Sequence, residues 1–218
     1  MPTLLHIDSS PRDQRSISRL LTREFAEEWK AANPGGRIIR RDLRDVPVPH
    51  IDNAWIEATR VATPERSPEQ HRALQLSDQL ISELEAADAV LIGVPMYNYT
   101  VPSSVKAYID QIVRPGRTIE YSNGSSTGLL RNKVTTVITA SSGVFSEGGS
   151  KADWDFLGPY LQKILGYLGL TDLEIISADG LADTSRRESR LLPVRERINA
   201  RAKAAVGAPH SSLSAVGF

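Results

Sequence analysis

Residues 89–106 read Ala89-Val-Leu-Ile-Gly-Val-Pro-Met-Tyr-Asn-Tyr-Thr-Val-Pro-Ser-Ser-Val-Lys106 and form the most informative stretch of the chain. The segment 89–94 is continuously apolar and rich in β-branched residues, which predicts a strand that is buried on both faces. Pro102, followed by two serines, predicts the start of a helix. A loop at the carboxyl end of a parallel strand is a usual place for a ligand. This loop offers aromatic and thioether walls and one amide, which suits a flat heteroaromatic ligand with polar edges.

A second candidate loop lies near the amino terminus, in Leu4-Leu-His-Ile-Asp-Ser-Ser-Pro-Arg-Asp-Gln-Arg-Ser-Ile-Ser-Arg-Leu-Leu21. A short strand ends near Asp8, and a helix follows whose apolar residues recur every four positions. The hydroxyls of Ser10, Ser16 and Ser18, with the free N–H groups of the helix start, predict a phosphate site. The chain has neither a P-loop lysine motif nor G-x-G-x-x-G, which excludes an ATP P-loop and a Rossmann fingerprint. The alternative is that these serines are a plain helix N-cap.

A third candidate loop follows a β-branched strand predicted at 134–140. Its residues are Ser141-Ser142-Gly143-Val144. Small side chains let the backbone approach the edge of a ligand closely. An ordinary flexible loop is the alternative interpretation of this segment.

The chain alternates predicted strands and helices, which is typical of a parallel sheet with helices on both faces. We expect an α/β, doubly wound five-stranded sheet, and the family resemblance given below implies the flavodoxin-like order 2-1-3-4-5, in which the three candidate loops meet at one edge. A helix is predicted over 68–87, with Ser67 as its N-cap, and a short helix over 54–61. The irregular segment 43–67 is expected to act as a lid or a partner contact. The strands are expected at about 3–8, 37–42, 88–94, 134–140 and 172–178.

Length and composition restrict the remaining possibilities. The 218 residues are enough for one domain, expected over 1–206, with a disordered tail at 207–218. The 26 basic and 26 acidic side chains cancel, so no nucleic-acid or membrane partner is expected. The absence of cysteine excludes disulfides, thiol catalysis and thiolate metal sites. No histidine spacing typical of a metal site is present, and no metal is predicted. The amino terminus lacks the pattern of a signal peptide, so a cytoplasmic location is expected.

The three loops together resemble the FMN-dependent NADH-azoreductase/quinone-reductase family, and the likeness extends over roughly residues 1–206. The segment Pro95-Met-Tyr-Asn-Tyr99 is similar to that family's P-M-Y-N-F motif, and the pair of serines at 16 and 18 matches its S-x-S element. The family's T-S-R-G-G corresponds to residues 140–144, where serine replaces the arginine and valine the second glycine. The resemblance implies one FMN per subunit, bound by Ser10, Ser16, Ile17, Ser18, Pro95, Met96, Tyr97, Asn98, Tyr99, Ser141, Ser142, Gly143 and Val144.

The resemblance also implies an activity. NADH would pass a hydride to FMN and leave, and a quinone or an azo compound would then take up the electrons. The flavin carries this reactivity itself, so no catalytic side chain is predicted. Backbone N–H groups of residues 96–99 and 142–144 are expected to donate to the ring edge. Family members are homodimers, and aromatic residues suit such an interface as well as they suit a core: Trp55, Tyr121, Phe145, Phe156 and Tyr160.

Two other functions remain open at this point. One is a flavodoxin-type electron carrier, against which the neutral charge argues, because such carriers are usually acidic. The other is a flavin-free interaction module of the same fold, for which the altered 140–144 segment leaves room. NADH and NADPH are not distinguished. Arg12 and Arg15 are candidate phosphate or nicotinamide-cofactor contacts, with solvated surface side chains as the alternative. The arginine series 186–201 is interpreted as a solvated basic helix face, and Tyr121 as a residue that reaches the flavin pocket or the partner subunit.

Overall fold

The computed structural model describes residues 1–146, 148–149 and 151–205. Within them, strands and helices alternate along the chain, with two 3₁₀ turns at Thr63–Glu65 and Ala152–Trp154. The strands are β1 (Thr3–Asp8), β2 (Arg37–Asp42), β3 (Ala89–Pro95), β4 (Ile119–Ser122), β5 (Ser125–Gly128), β6 (Val134–Ala140) and β7 (Leu173–Ala178). The helices are α1 (Ile17–Ala32), α2 (Asn53–Thr59), α3 (Pro68–Ala86), α4 (Ser103–Ile112), α5 (Leu157–Tyr167) and α6 (Arg187–Ala204).

Five of the strands form one parallel sheet in the order β2-β1-β3-β6-β7. This order confirms the predicted 2-1-3-4-5 arrangement, because β4 and β5 form a separate antiparallel hairpin between α4 and β6. All seven residues of β3 are buried, as its continuous apolar run predicts. The carboxyl ends of β1, β3 and β6 therefore open at one edge of the sheet, where the three candidate loops meet.

The sheet separates two apolar cores. One lies under α3, α4 and α5, and the other lies under α1 and α6. In the second core, Phe25 and Trp29 of α1 are almost fully buried, and the Trp29 indole donates to the carbonyl of Ala205 at 2.6 Å. Burying a large apolar side chain contributes about 1.5–3 kcal/mol. These contacts fix α1, and with it the first candidate loop, against the sheet.

The segment before β3 follows its predicted local signals. Helix α3 begins after a capping box, in which the Ser67 side chain accepts from the Gln70 N–H and the Gln70 side chain accepts from the Ser67 N–H. The short helix α2 is capped by Asp52 and begins one residue before the predicted range of 54–61 and ends two residues before its end. Both predicted helices are confirmed, with ends that differ by one or two residues.

The carboxyl-terminal part of the described chain is α6, which contains Pro193. The whole tail predicted at 207–218 lies outside the described residues, as does residue 206, the end of the domain predicted at 1–206, so both stay predictions. No described helix combines the length and the apolar composition that a membrane span requires.

Candidate functional site

A cavity of about 520 Å³ opens at the carboxyl edge of the parallel sheet. Four loops line it, one after each of the strands β1, β3, β6 and β7. The start of α6 closes one side. The lining residues are Ser10, Arg12, Gln14, Arg15, Ser16, Ile17, Ser18, Pro95, Met96, Tyr97, Ala140, Ser141, Ser142, Leu181, Ala182 and Arg187. Nine of the thirteen predicted site residues lie in this lining, whereas Asn98, Tyr99, Gly143 and Val144 lie beyond it on the same loops.

The first loop presents three buried hydroxyls to the cavity. Ser16 is the N-cap of α1 and accepts from the Arg19 N–H at 3.4 Å, and its Oγ lies 3.1 Å from Ser18 Oγ. Ser10 Oγ accepts from the Arg12 N–H at 3.2 Å. The cap interpretation is therefore correct. It is compatible with a phosphate site, since hydroxyls beside a helix N-terminus favour an anion.

An arginine on α1 holds this loop in place from behind. Arg19 Nε donates to the carbonyl oxygen of Ser10 at 2.9 Å, and its Nη2 donates to Asp42 Oδ1 at 2.7 Å. The hydrogen bond to Asp42 raises the pKa of Arg19, against the effect of burial. Burial alone would raise the pKa of Asp42, but the hydrogen bonds from Arg19 and from the Arg44 N–H outweigh it and lower that pKa. The first loop is thus tied to the end of β2 by a charged pair.

The loop after β3 makes a tight turn. The N–H of Tyr97 donates to Thr100 O at 3.0 Å, and the N–H of Thr100 donates back to Tyr97 O at 3.1 Å. The two residues between them have positive φ, at 48° for Asn98 and 69° for Tyr99, as a type I′ turn requires. Tyrosine rarely adopts this conformation, and such strain collects at functional sites. The turn leaves Asn98 exposed at the edge of the cavity.

The hydrogen bonds of this turn correct one expectation about backbone donors. The N–H of Met96 is committed to Ala140 O at 2.8 Å, and that of Tyr97 is committed within the turn. Neither group is free to donate to a ligand. The N–H groups of residues 98, 99 and 142–144 make no hydrogen bond within the described part of the chain, so these are the donors that remain.

The loops after β6 and β7 are joined to each other by their backbones. The N–H of Leu181 donates to Ser141 O at 3.1 Å, and that of Ala182 donates to Ser142 O at 3.2 Å. The N–H of Gly180 donates to Gly143 O at 2.7 Å. The 141–143 backbone is therefore held in a defined conformation, and the flexible-loop interpretation does not describe it.

Among the described residues, the lining contains three arginines and no carboxylate. Arg12 and Arg15 are exposed at its mouth, whereas Arg187 is half-buried at the start of α6. Sequence reasoning missed five lining residues, which are Gln14, Ala140, Leu181, Ala182 and Arg187. The interpretation of the 186–201 arginines as a solvated face does not hold for Arg187. The excess of positive charge favours an anionic ligand.

Aromatic residues lie beside the cavity. The Tyr99 ring lies 6.0 Å from that of Phe145 and 5.1 Å from that of Trp154, between ring centroids, and Lys151 Nζ lies 5.9 Å from the Tyr99 centroid. Tyr121 lies elsewhere, on the β4–β5 hairpin, where its hydroxyl is 3.0 Å from that of Tyr167. Tyr121 is therefore not part of the cavity of its own chain.

The sheet order and the hydroxyl-rich cavity at its carboxyl edge define a flavodoxin-like protein. In agreement, the family model described as "Flavodoxin-like fold" matches residues 2–202. The chain is 45% identical over 202 residues to the FMN-dependent NADH:quinone oxidoreductase of Acidobacterium capsulatum, covering 91% of this chain and 98% of that one. It is 44% identical over 198 residues to the protein of the same name from Nostoc punctiforme, covering 91% and 97%. The chain belongs to the family of FMN-dependent NADH:quinone oxidoreductases.

Solved structures give the same result. An azoreductase from Bacillus anthracis str. Sterne superposes with a TM-score of 0.86 at 25% identity, covering 94% of this chain and 100% of that one. An FMN-dependent NADH-azoreductase from Bacillus anthracis str. Ames Ancestor, in complex with FMN, superposes with a TM-score of 0.82 at 26% identity, covering 94% and 100%. The resemblance inferred from the three loops is confirmed.

Proposed function

We propose that this chain is an FMN-dependent NADH:quinone oxidoreductase that also reduces azo compounds, with one FMN in each subunit. The observation that carries the proposal is the single cavity shared by the hydroxyl-rich start of α1 and the turn after β3. The names of relatives that are about 45% identical over nearly their whole length support it. The cytoplasm, where NADH is available, is the proposed compartment.

The residues of the cavity fit FMN. Its volume of about 520 Å³ is in the usual range for a cofactor site. Three buried serine hydroxyls and a helix N-terminus match the phosphate, and the lining adds positive charge without a carboxylate. Pro95 and Met96 supply an apolar wall beside the polar 141–142 backbone. A polar end joined to an apolar slot is what a phosphorylated, flat ligand requires.

The chain's own residues bind and orient the cofactor in this proposal. Ser10, Ser16 and Ser18 hold the phosphate. Ile17, Pro95, Met96 and Tyr97 pack beside the ribityl chain and the ring, and the N–H groups of residues 98, 99 and 142–144 donate to the ring's polar edge. When bound, FMN accepts a hydride from NADH and passes two electrons to a quinone or an azo group. No side chain is assigned to proton transfer, because water can protonate the product.

A homodimer is also part of the proposal. Large aromatic side chains are exposed near the cavity, and aromatic residues are enriched in interfaces. The exposed fractions are 37% for Tyr97, 37% for Tyr99, 55% for Trp154 and 57% for Phe156. Of the other residues expected to suit an interface, Trp55 is buried and Tyr160 packs against the core, so core packing accounts for both. Sedimentation at micromolar concentration would test the dimer, and a monomer would contradict it.

The experiment that tests the function is an anaerobic titration. Apoprotein is loaded with FMN and freed of excess, NADH is added, and a short-chain quinone or an azo dye follows. Bound flavin absorbance that bleaches with NADH and returns with the acceptor is the expected result. Bound flavin that NADH does not bleach would instead indicate an electron carrier, and failure to retain FMN would indicate a flavin-free module.

A further inference from the structure

We propose that Arg187, the first residue of α6, binds the phosphate of FMN and adds a half-buried positive charge to the exposed Arg12 and Arg15 of the first loop. This inference rests on the proposed function, because it assigns a residue to the same site. The hydroxyls and N–H groups of the first loop are neutral, its two arginines, Arg12 and Arg15, are exposed at the cavity mouth, and it has no lysine of the P-loop type. A phosphomonoester carries nearly two negative charges near neutral pH. A cation from elsewhere in the fold would therefore strengthen binding.

The ion pairs of α6 and its approach single out Arg187. Each of five other arginines between 186 and 201 has a carboxylate oxygen within 4.0 Å, whereas Arg187 has none in the described part of the chain. The pairs are Arg186 with Asp183 at 3.5 Å, Arg190 with Asp179 at 4.0 Å, Arg195 with Glu24 at 3.0 Å, Arg197 with Glu174 at 2.9 Å and Arg201 with Asp172 at 2.6 Å. The one arginine of the series without a carboxylate is the one that lines the cavity.

The guanidinium of Arg187 is held at the cavity and is not fully satisfied. Its Nη2 donates to Leu181 O at 3.2 Å, on the loop that is bonded to residues 141–143. Its Nε is buried and has no hydrogen-bond partner among the described residues. A cation at the first position of a helix is also opposed by the helix dipole. A bound anion would accept a hydrogen bond from the unpaired guanidinium N–H, and it would interact favourably with the positive end of the helix dipole.

Helices α1 and α6 pack against each other, and both begin at the same cavity. The two helices lie side by side, and Arg195 Nε contacts Glu24 at 3.0 Å across their interface. Arg187 and Ser16 stand at the starts of these two helices. Both residues line the same cavity. Arg187 therefore shares a cavity with Ser16 and Ser18, the residues that we propose to bind the phosphate.

The test compares two ligands that differ by the phosphate alone. Dissociation constants for FMN and riboflavin are measured by flavin fluorescence on the full chain and on Arg187→Gln, which keeps an amide donor for Leu181 O. Arg187→Gln is expected to weaken FMN binding by about tenfold or more, as for loss of a charge-assisted hydrogen bond, and to leave riboflavin binding within about twofold. Arg187→Lys keeps the charge without the planar fork, so an intermediate loss of FMN affinity is expected. The matched control is Arg186→Gln, an exposed neighbour whose partner is Asp183, and its FMN affinity is expected to stay within about twofold of the unmodified chain.

The outcomes separate this inference from the proposed function. An unmodified chain that binds no FMN would overturn both. An unmodified chain that binds FMN, with both Arg187 variants folded by circular dichroism and unchanged in FMN affinity, would overturn the inference alone. Equal losses for FMN and riboflavin would also overturn it, because the residue would then act on the ring. Should Arg187→Gln not fold, Arg187→Lys decides the matter by the same comparison.

Discussion

Replacing Asp42 by asparagine removes the charge that anchors Arg19, and through it the first loop of the site. The Asp42 carboxylate accepts hydrogen bonds from two N–H groups of the Arg19 guanidinium and from the Arg44 backbone N–H, the last at 2.9 Å. The Asp42 side chain is 23% exposed. A hydrogen bond to a charged group contributes about 1.5–3 kcal/mol when buried. Asparagine keeps one acceptor oxygen, and partial exposure weakens the pair. The expected loss in the free energy of unfolding is about 1–2 kcal/mol.

The pH dependence of this loss has a definite sign. The folded-state pKa of Asp42 lies below its ordinary value of 3.8, although burial opposes this, because the bonds from Arg19 and the Arg44 N–H favour the charged form. A depressed carboxyl pKa stabilises the fold at pH values above the unfolded pKa, and the effect disappears as the pH falls through the folded pKa. The difference between the unmodified chain and Asp42→Asn is therefore expected to be full at pH 7 and to shrink below about pH 4.

Urea and thermal unfolding at pH 7 and at pH 3 measure both parts of this prediction. At pH 7 the melting temperature should fall by about 2–8 °C, given about 2–4 °C per kcal/mol for a chain of this size. Asp45→Asn is the matched control, since Asp45 is 60% exposed and pairs with Arg44 beside the same turn. A difference that stays constant between the two pH values, or an Asp45→Asn variant that loses as much stability, would refute the reasoning.

Three further substitutions test other parts of the site and the fold. Gly93→Ala would place a Cβ 2.8 Å from Thr22 Cγ2, so we expect the free energy of unfolding in urea to fall by about 1–3 kcal/mol. An unchanged urea midpoint would contradict this close approach of α1 to the sheet. Asn98→Gly keeps the positive φ and deletes the side-chain amide. We expect FMN binding, measured by fluorescence titration, to weaken by about 1–3 kcal/mol, which would assign the amide to the ring edge. Equal affinity would remove the Asn98 side chain from the site. Ser67→Ala removes one half of the capping box with Gln70, so the free energy of thermal unfolding should fall by about 1 kcal/mol while the FMN affinity stays unchanged. A loss of FMN affinity would mean that α3 supports the site directly.

The sheet could be predicted from the sequence because its signals are local. Runs of β-branched and apolar residues give the strands, and Ser16 and Ser67 give the helix starts. The order of the strands followed from the alternation of strands and helices together with the family resemblance, and it is confirmed. The hairpin of β4 and β5 was not predicted as strands. Its signal was nevertheless present, since Asn123-Gly124 joins the two strands with φ of 50° and 75°, and this dipeptide is a strong hairpin indicator.

Other features of the site depend on tertiary contacts that leave no local pattern. The positive φ of Tyr99 has no sequence signature, because the dipeptide Asn98-Tyr99 lacks the glycine that usually follows asparagine in such turns. The commitment of the Met96 N–H to Ala140 O depends on the pairing of β3 with β6. Two of the N–H groups that were expected to donate to the ring edge, those of Met96 and Tyr97, are therefore already used within the chain. Only the structure could show this.

Arg187 shows why residues of the binding site in particular are hard to predict from the sequence. In sequence, Arg187 is one arginine among six with similar spacing, and nothing local distinguishes it from a solvated side chain. Its partners are decided by which carboxylates the other helices and strands bring near. Helix α1 and strand β7 supply partners for its neighbours Arg195 and Arg197, whereas no carboxylate among the described residues pairs with Arg187. Charges that a fold neutralises internally are structural, so a charge left without a carboxylate at the mouth of a cavity indicates the sign of what binds there. In this chain that sign is negative, as the phosphate of FMN requires.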